Sequence, residues 1–181
     1  IRDAKRRGTS VSAEATPHHI SLTDECLSGY DTNYKMCPPL RTKADVEALI
    51  EGLCDGTIEV IATDHAPHTD TEKDMAFDAA PFGITGFETA FSICHDVLVR
   101  SGIMDMAKLV RLMSTRPAEI LGIDAGTLKE GSPADFALID ENAEWTYDSP
   151  KSRSANSPWL GKKLRGKVVG TFVGGKKVFE A

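Results

Sequence analysis

Apolar positions along this chain fall into two textures, one periodic and one made of short alternating runs. Val46, Leu49, Ile50 and Leu53 recur at i, i+3, i+4 and i+7, the spacing of one helix face. Thr42 stands where an N-cap belongs, Asp45 occupies the capping-box position, and Asp55-Gly56 closes the run. On either side lie strand-like segments. Thr9 to Thr16 (TSVSAEAT) alternates small, polar and β-branched residues, and Ile58 to Thr63 contains a β-branched run too short for a helix. Strand, helix, strand with short connections predicts a parallel sheet with right-handed crossovers. Two helices follow, about Phe87 to Arg100 and Met106 to Met113, and Ser114-Thr115-Arg116-Pro117 leads into a third that ends near Leu121-Gly122. From Gly126 the runs shorten: Gly126 to Leu128, Ala134 to Asp140, Trp145 to Tyr147, Lys167 to Val173 and Lys176 to Phe179. Gly174-Gly175 joins the last two as a hairpin. The pattern predicts an α/β unit over 1–122 and a small β unit over 123–181, with the boundary near 122–126.

Both predicted strands of the first unit end in polar clusters. The second runs into Asp64-His65-Ala66-Pro67-His68, and Pro67 bars a helix from continuing there. The first runs into Thr16-Pro17-His18-His19. Strand ends that converge in this way build the sites of α/β folds. Asp64, nearest its strand end, is the first candidate to ligate a divalent metal, move a proton or hold a substrate. The plainer alternative is an acid and two histidines that cap a loop. For His18 and His19 the expected role is loop packing, since neighbours on an extended segment point to opposite faces. Tyr34 to Arg41 carries Pro38-Pro39 and reads as a rigid extended stretch able to present its backbone to a ligand; Cys37 within it is expected to be packed and inert. Thr69 to Ala80 is acid-rich without apolar period and reads as a mobile loop. Pro81 to Gly86 is turn-rich, with Phe82 as an apolar anchor and Gly83 permitting close approach of backbone to ligand. His95, inside a helix, is expected to be packed or on the surface.

Composition narrows the classes. A net charge of −6 and a pI near 5.4 argue against a nucleic-acid partner. Cys26, Cys37, Cys54 and Cys94 are scattered without a CxxC pair, as for reduced thiols in a cytoplasmic protein. No run approaches the roughly 18 apolar residues of a membrane span, and no signal peptide is visible. Ile1 to Gly8 reads as the tail of a helix closed by glycine, so the chain is expected to be a piece of a longer protein.

Read together, AEATPHH, YKMCPPLR, ALIEGLCDGTIEVIATDHAPH, APFGITGFETA, GTLKEGSPADFALID and NSPWLGKKLRGKVVGTFVGGKKVFE resemble, in that order, the C-terminal part of the long-type bacterial dihydroorotases of the amidohydrolase superfamily. The resemblance implies the last two strands of a metal-dependent (β/α)8 TIM-type barrel, together with the C-terminal share of a small β-sandwich built from both chain ends. It implies zinc-dependent, reversible cyclisation of N-carbamoyl-L-aspartate to dihydroorotate in pyrimidine synthesis, with one or two Zn2+ per complete site. On that resemblance Asp64 is a metal ligand and the proton shuttle, His68 binds substrate, and Phe82 and Gly83 contact it through their backbone. Cys37 stands where many members have an asparagine that contacts substrate. The HxH pair, the bridging carboxylate or carbamylated lysine and two further histidines are expected upstream of Ile1, so this chain by itself is expected to be inactive. Implied partners are a small-molecule substrate, the N-terminal half of the same protein, further copies of it, and aspartate carbamoyltransferase. A hydantoinase, dihydropyrimidinase or allantoinase, or a non-catalytic subunit of dihydroorotase type, are the competing readings.

Overall fold

In the computed structural model, which describes residues 1–181, β1 (Glu14–Ala15) and β2 (Val60–Ile61) pair in parallel, Glu14 opposite Val60 and Ala15 opposite Ile61. The crossover between them carries α2 (Lys43–Asp55). Both arms of its capping box form: Thr42 Oγ1 accepts from the Asp45 N–H and the Asp45 carboxylate from the Thr42 N–H. Gly56 ends it in the left-handed region at φ 81°, which glycine adopts without a Cβ clash. The strands are shorter than the sequence pattern predicts. One further bond at each end, Glu59 N–H to Ala13 O and Ala62 N–H to Ala15 O, extends the ladder, and each strand has only the other as neighbour. Ahead of β1, α1 (Arg2–Arg6) is tied to this unit by Arg2 on Asp55 and Lys5 on Glu59.

The segment expected to be a mobile loop, Thr69 to Ala80, is corrected by the structure. It holds α3 (Asp70–Lys73), opened by a second capping box in which Thr69 and Glu72 bond reciprocally. Lys73, at its end, is buried. The order comes from caps and an ammonium, which leave no apolar periodicity to read.

Next comes α4 (Ala90–Cys94), which runs on through π-helical turns at His95–Arg100; Phe87 to Thr89 precede the helix rather than opening it. The break expected at Ser114–Pro117 is absent. There α5 (Met106–Val110), a π-helical stretch Arg111–Thr115 and α6 (Arg116–Leu121) follow one another directly. Pro117 falls where the π-helical turns pass into α6, at the change of hydrogen-bond pattern.

The C-terminal unit is an antiparallel sheet in the order β3 (Phe136–Thr146), β4 (Lys163–Val173), β5 (Lys176–Glu180), with the expected hairpin at Gly174-Gly175. Two expectations fail here. Gly126 to Leu128 forms no strand; Gly126 lies against the end of the π-helical stretch, where the Thr115 hydroxyl donates to its carbonyl and a Cβ would stand 2.8 Å from Ser114 O. Trp145 is not in a strand of its own but continues the Phe136–Asp140 run, across an irregularity between Asp140 and Glu144.

Two apolar clusters hold these pieces. Ala15, Ile61, Leu53, Leu98, Leu109 and their neighbours pack the parallel pair against the helices. Met36, Leu40, Ile84, Ile93, Tyr147 and Trp159 join the loops beyond β2 to the C-terminal segment. No helix is long and apolar enough to cross a membrane.

Candidate active site

Asp64 lies three positions beyond Ile61, and His18 three beyond Ala15, its register partner, so both leave the same end of the parallel pair. Asp64 is exposed and held at φ 50°, in the left-handed region that a non-glycine residue seldom adopts. His18 is buried, and its Nε2 has no hydrogen-bond partner. Burial, and secondarily the charge of His19, push its pKa down to about 3, so the ring is a neutral base with a free lone pair or N–H. His19 fits the packing role: Nδ1 lies 2.7 Å from Thr16 Oγ1 and Nε2 2.8 Å from Pro38 O. Packing thus accounts for His19 and leaves His18 Nε2 unexplained.

The loop after β2 is zipped to Phe82–Phe87. Ala66 N–H donates to Ile84 O, and His65 forms an isolated parallel bridge with Ile84. His65 Nδ1 accepts from the N–H groups of Gly86 and Phe87, and its ring stacks on Phe87 at 3.9 Å between centroids. An accepting Nδ1 places the proton of the neutral ring on Nε2. His68 completes the zip, with Nε2 2.9 Å from Phe82 O and Nδ1 3.8 Å from Glu72. His68, Phe82 and Gly83 are therefore brought together. The close approach at Gly83 is to Ala66 rather than to open space: at φ 106° a Cβ would stand 2.5 Å from the Ala66 Cβ.

Cys37 departs from expectation, being exposed and free rather than packed. Cys37, Pro38 and Pro39 are all exposed, while Lys35, two positions before Cys37, is anchored: its carbonyl accepts the Gly83 N–H at 2.9 Å. No three His, Cys, Asp or Glu side chains gather as a metal site. His95 is buried, stacked on Phe91.

Three residues that the sequence pattern leaves unmarked organise the site. Asn156 is buried; its Nδ2 donates to Ala66 O and Gly83 O, its Oδ1 accepts from His68 N–H, and its carbonyl accepts from Thr85 N–H. One amide thus braces both loops from the far end of the chain. Lys35 Nζ donates to Asp78 O and Ala80 O, and Lys73 Nζ to Pro81 O and Gly83 O. Nothing local marks these positions, except that Asn156 stands just ahead of Ser157-Pro158 in an otherwise ordinary turn.

Comparison with known proteins agrees with this arrangement. The amidohydrolase family model matches residues 4–178. A dihydroorotase of Elusimicrobium minutum (strain Pei191) is 54% identical over 182 residues, covering 99% of this chain and 42% of that protein. A dihydroorotase of Anaeromyxobacter dehalogenans (strain 2CP-C) is 52% identical over 184 residues with the same coverage. The chain thus spans about two fifths of the length of the curated relatives it matches. Among solved structures, the L-hydantoinase (dihydropyrimidinase) of Arthrobacter aurescens superposes with a TM-score of 0.91 at 29% identity, over 99% of this chain and 42% of that one. The D-hydantoinase of Bacillus sp. AR9 superposes with a TM-score of 0.89 at 26% identity, over 99% of this chain and 41% of that one. The parallel pair, its crossover helix and the appended sheet are the C-terminal portion of this α/β barrel architecture, and the chain belongs to the amidohydrolase family.

Proposed function

We propose that this chain forms the C-terminal part of a dihydroorotase, which interconverts N-carbamoyl-L-aspartate and dihydroorotate in pyrimidine synthesis. The observation that carries the reading is the 54% identity to a dihydroorotase over 99% of the chain, against 25–29% to the hydantoinases of the same fold. Residues 1–122 are then the barrel portion and 123–181 the C-terminal share of a sandwich.

Amidohydrolases are generally metal-dependent, and two donors of this chain suit a zinc ion: the carboxylate of Asp64, and His18, whose buried Nε2 lacks a partner inside the chain. A bound divalent ion supplies Lewis acidity and a water acidified to a pKa of about 7. Asp64, exposed beyond the strand end, accepts a proton from the attacking water during ring opening and passes it to the departing ring nitrogen. His68, fixed through Phe82 O and Asn156, offers its imidazole to the substrate, and the Phe82–Gly83 backbone lines the same side. Cys37, where an asparagine is common, retains only a main-chain contact. A homo-oligomer, with aspartate carbamoyltransferase as a further partner, and a cytoplasmic location follow from the same reading; four free cysteines agree with the last.

The test is the full-length protein assayed with dihydroorotate, 5,6-dihydrouracil and hydantoin. Hydrolysis of dihydroorotate at least a hundredfold more efficient than that of the other two supports the proposal. A preference for either uncharged ring replaces it with the hydantoinase reading.

A further inference from the structure

Lys35 and Lys73 are each only 7% exposed, yet all four hydrogen bonds from their ammonium groups go to main-chain carbonyls and none to a carboxylate. Carbonyl oxygens solvate a cation but leave its charge standing, and burying such a charge is costly. The charged groups facing Lys73 are Lys35, which repels it, and Asp31, which partly offsets that; burial and Lys35 together hold its pKa below the ordinary lysine value. Two cations are thus set under one short loop, Asp78 to Gly83.

The consequence falls on a single peptide. Lys73 Nζ lies 3.0 Å from Pro81 O, and the other end of that peptide is the Phe82 N–H. A carbonyl that accepts from an ammonium polarises the peptide and makes its N–H a stronger donor. The neighbouring donors are spent, Gly83 N–H on Lys35 O and Ala66 N–H on Ile84 O, whereas Phe82 N–H has no acceptor in the chain. It stands on a residue 55% exposed, whose ring covers Lys35 Nζ at 4.6 Å. A strengthened N–H beside two cations that no carboxylate hydrogen-bonds suits a negatively charged oxygen.

We propose that Lys73, supported by Lys35, is a positioning residue that makes the Phe82 N–H an anion-binding donor, so that this site prefers a cyclic amide carrying a carboxylate over the same ring without one. The inference rests on the dihydroorotase reading above and adds one contributor to its charge selectivity. A lysine that only staples the loop would affect both kinds of ring alike.

The matched probes are dihydroorotate and 5,6-dihydrouracil, which differ by the carboxylate alone, and the protein is the full-length enzyme with its metal. In Lys73→Met, KM for dihydroorotate is expected to rise at least tenfold with kcat changed less than threefold. The inhibition constant of dihydrouracil should stay within twofold, with metal content and thermal midpoint recorded alongside. Equal weakening of both ligands, or no change in either, overturns the proposal. A measurement on the unsubstituted enzyme does not depend on how the variant folds: KM for dihydroorotate should climb with pH before the ordinary lysine range is reached, while dihydrouracil affinity stays flat. Parallel curves overturn the proposal. An unsubstituted enzyme that does not turn over dihydroorotate at all refutes the underlying reading instead.

Discussion

Asp64 sits in a left-handed conformation that costs a non-glycine residue roughly 1–2 kcal/mol, a strain least severe for Asp and Asn. Asp64→Asn therefore keeps the local backbone and removes only the basic oxygen. In the full-length protein we expect turnover to fall by the ~10²–10⁴-fold typical of a lost general acid–base group. Steady-state activity within threefold of the parent would remove Asp64 from the proton-transfer role. His68→Ala is expected to act on binding, by roughly 1.5–3 kcal/mol for a hydrogen bond to a charged group. Metal content by atomic spectroscopy should stay unchanged; loss of metal in step with activity would make His68 a ligand. The cysteines differ by environment. Cys37 is exposed, whereas burial pushes the Cys94 thiol up to about 12. Alkylation near pH 8 should label Cys37 first and leave Cys94 unmodified in the native protein, as peptide mass spectrometry will read; early labelling of Cys94 would contradict its packing.

Elements meet at a few shared groups, and Glu59 at the entry to β2 is the clearest. Lys5 of α1 reaches its carboxylate at 2.5 Å and Arg116 of α6 at 2.6 Å. The bond from Lys5, joined by Arg116, holds the Glu59 carboxyl below its usual value of 4.5. A depressed carboxyl stabilises the fold above the unfolded-state value, and that contribution is lost as pH falls from about 4.5 through the folded-state value. Glu59→Gln should cost about 1–3 kcal/mol at pH 7 and flatten the acid limb of stability below pH 4.5. Urea unfolding at pH 7 and pH 4 measures both; an unchanged acid limb would show that the contact contributes nothing. Asn156 ties the C-terminal segment to two loops in the same way, since its truncation leaves buried amide and carbonyl groups unpaired.

At the scale of the molecule, much apolar surface stands open. Every residue of β5 is exposed, Val178 and Phe179 among them, as are Leu121, Ile123 and Leu128 at the junction of the two units. The β1–β2 pair also presents an unpaired edge on both sides. Unpaired edges and apolar faces drive association. The 181-residue chain, expressed by itself, should therefore self-associate and bind zinc weakly, for two donors fall short of a closed ligand set. Light scattering and zinc titration test this together. A clean monomer with tight, stoichiometric zinc would overturn it.

The helix from Lys43 to Asp55, the parallel grammar around it and the Gly174-Gly175 turn were determined by the sequence itself. Each rests on contacts within a few residues: an apolar stripe, a Thr42–Asp45 box, glycines that tolerate positive φ. The resemblance of whole motifs added Asp64, His68, Phe82 and Gly83, and the fold joins the last three. Tertiary structure alone decided the rest. Strand length depends on which neighbours a strand finds, and β1 and β2 bond only with each other. The helix continues past Ser114 through π turns that lead directly into the segment carrying Pro117. Lys73 lies in a polar run that looks solvated, and only the fold brings the Pro81 and Gly83 carbonyls onto its ammonium. Asn156 reaches Ala66 across 90 residues. Hydrogen bonds closed over such separations leave no periodicity in the chain, because the partner is chosen by packing and not by spacing.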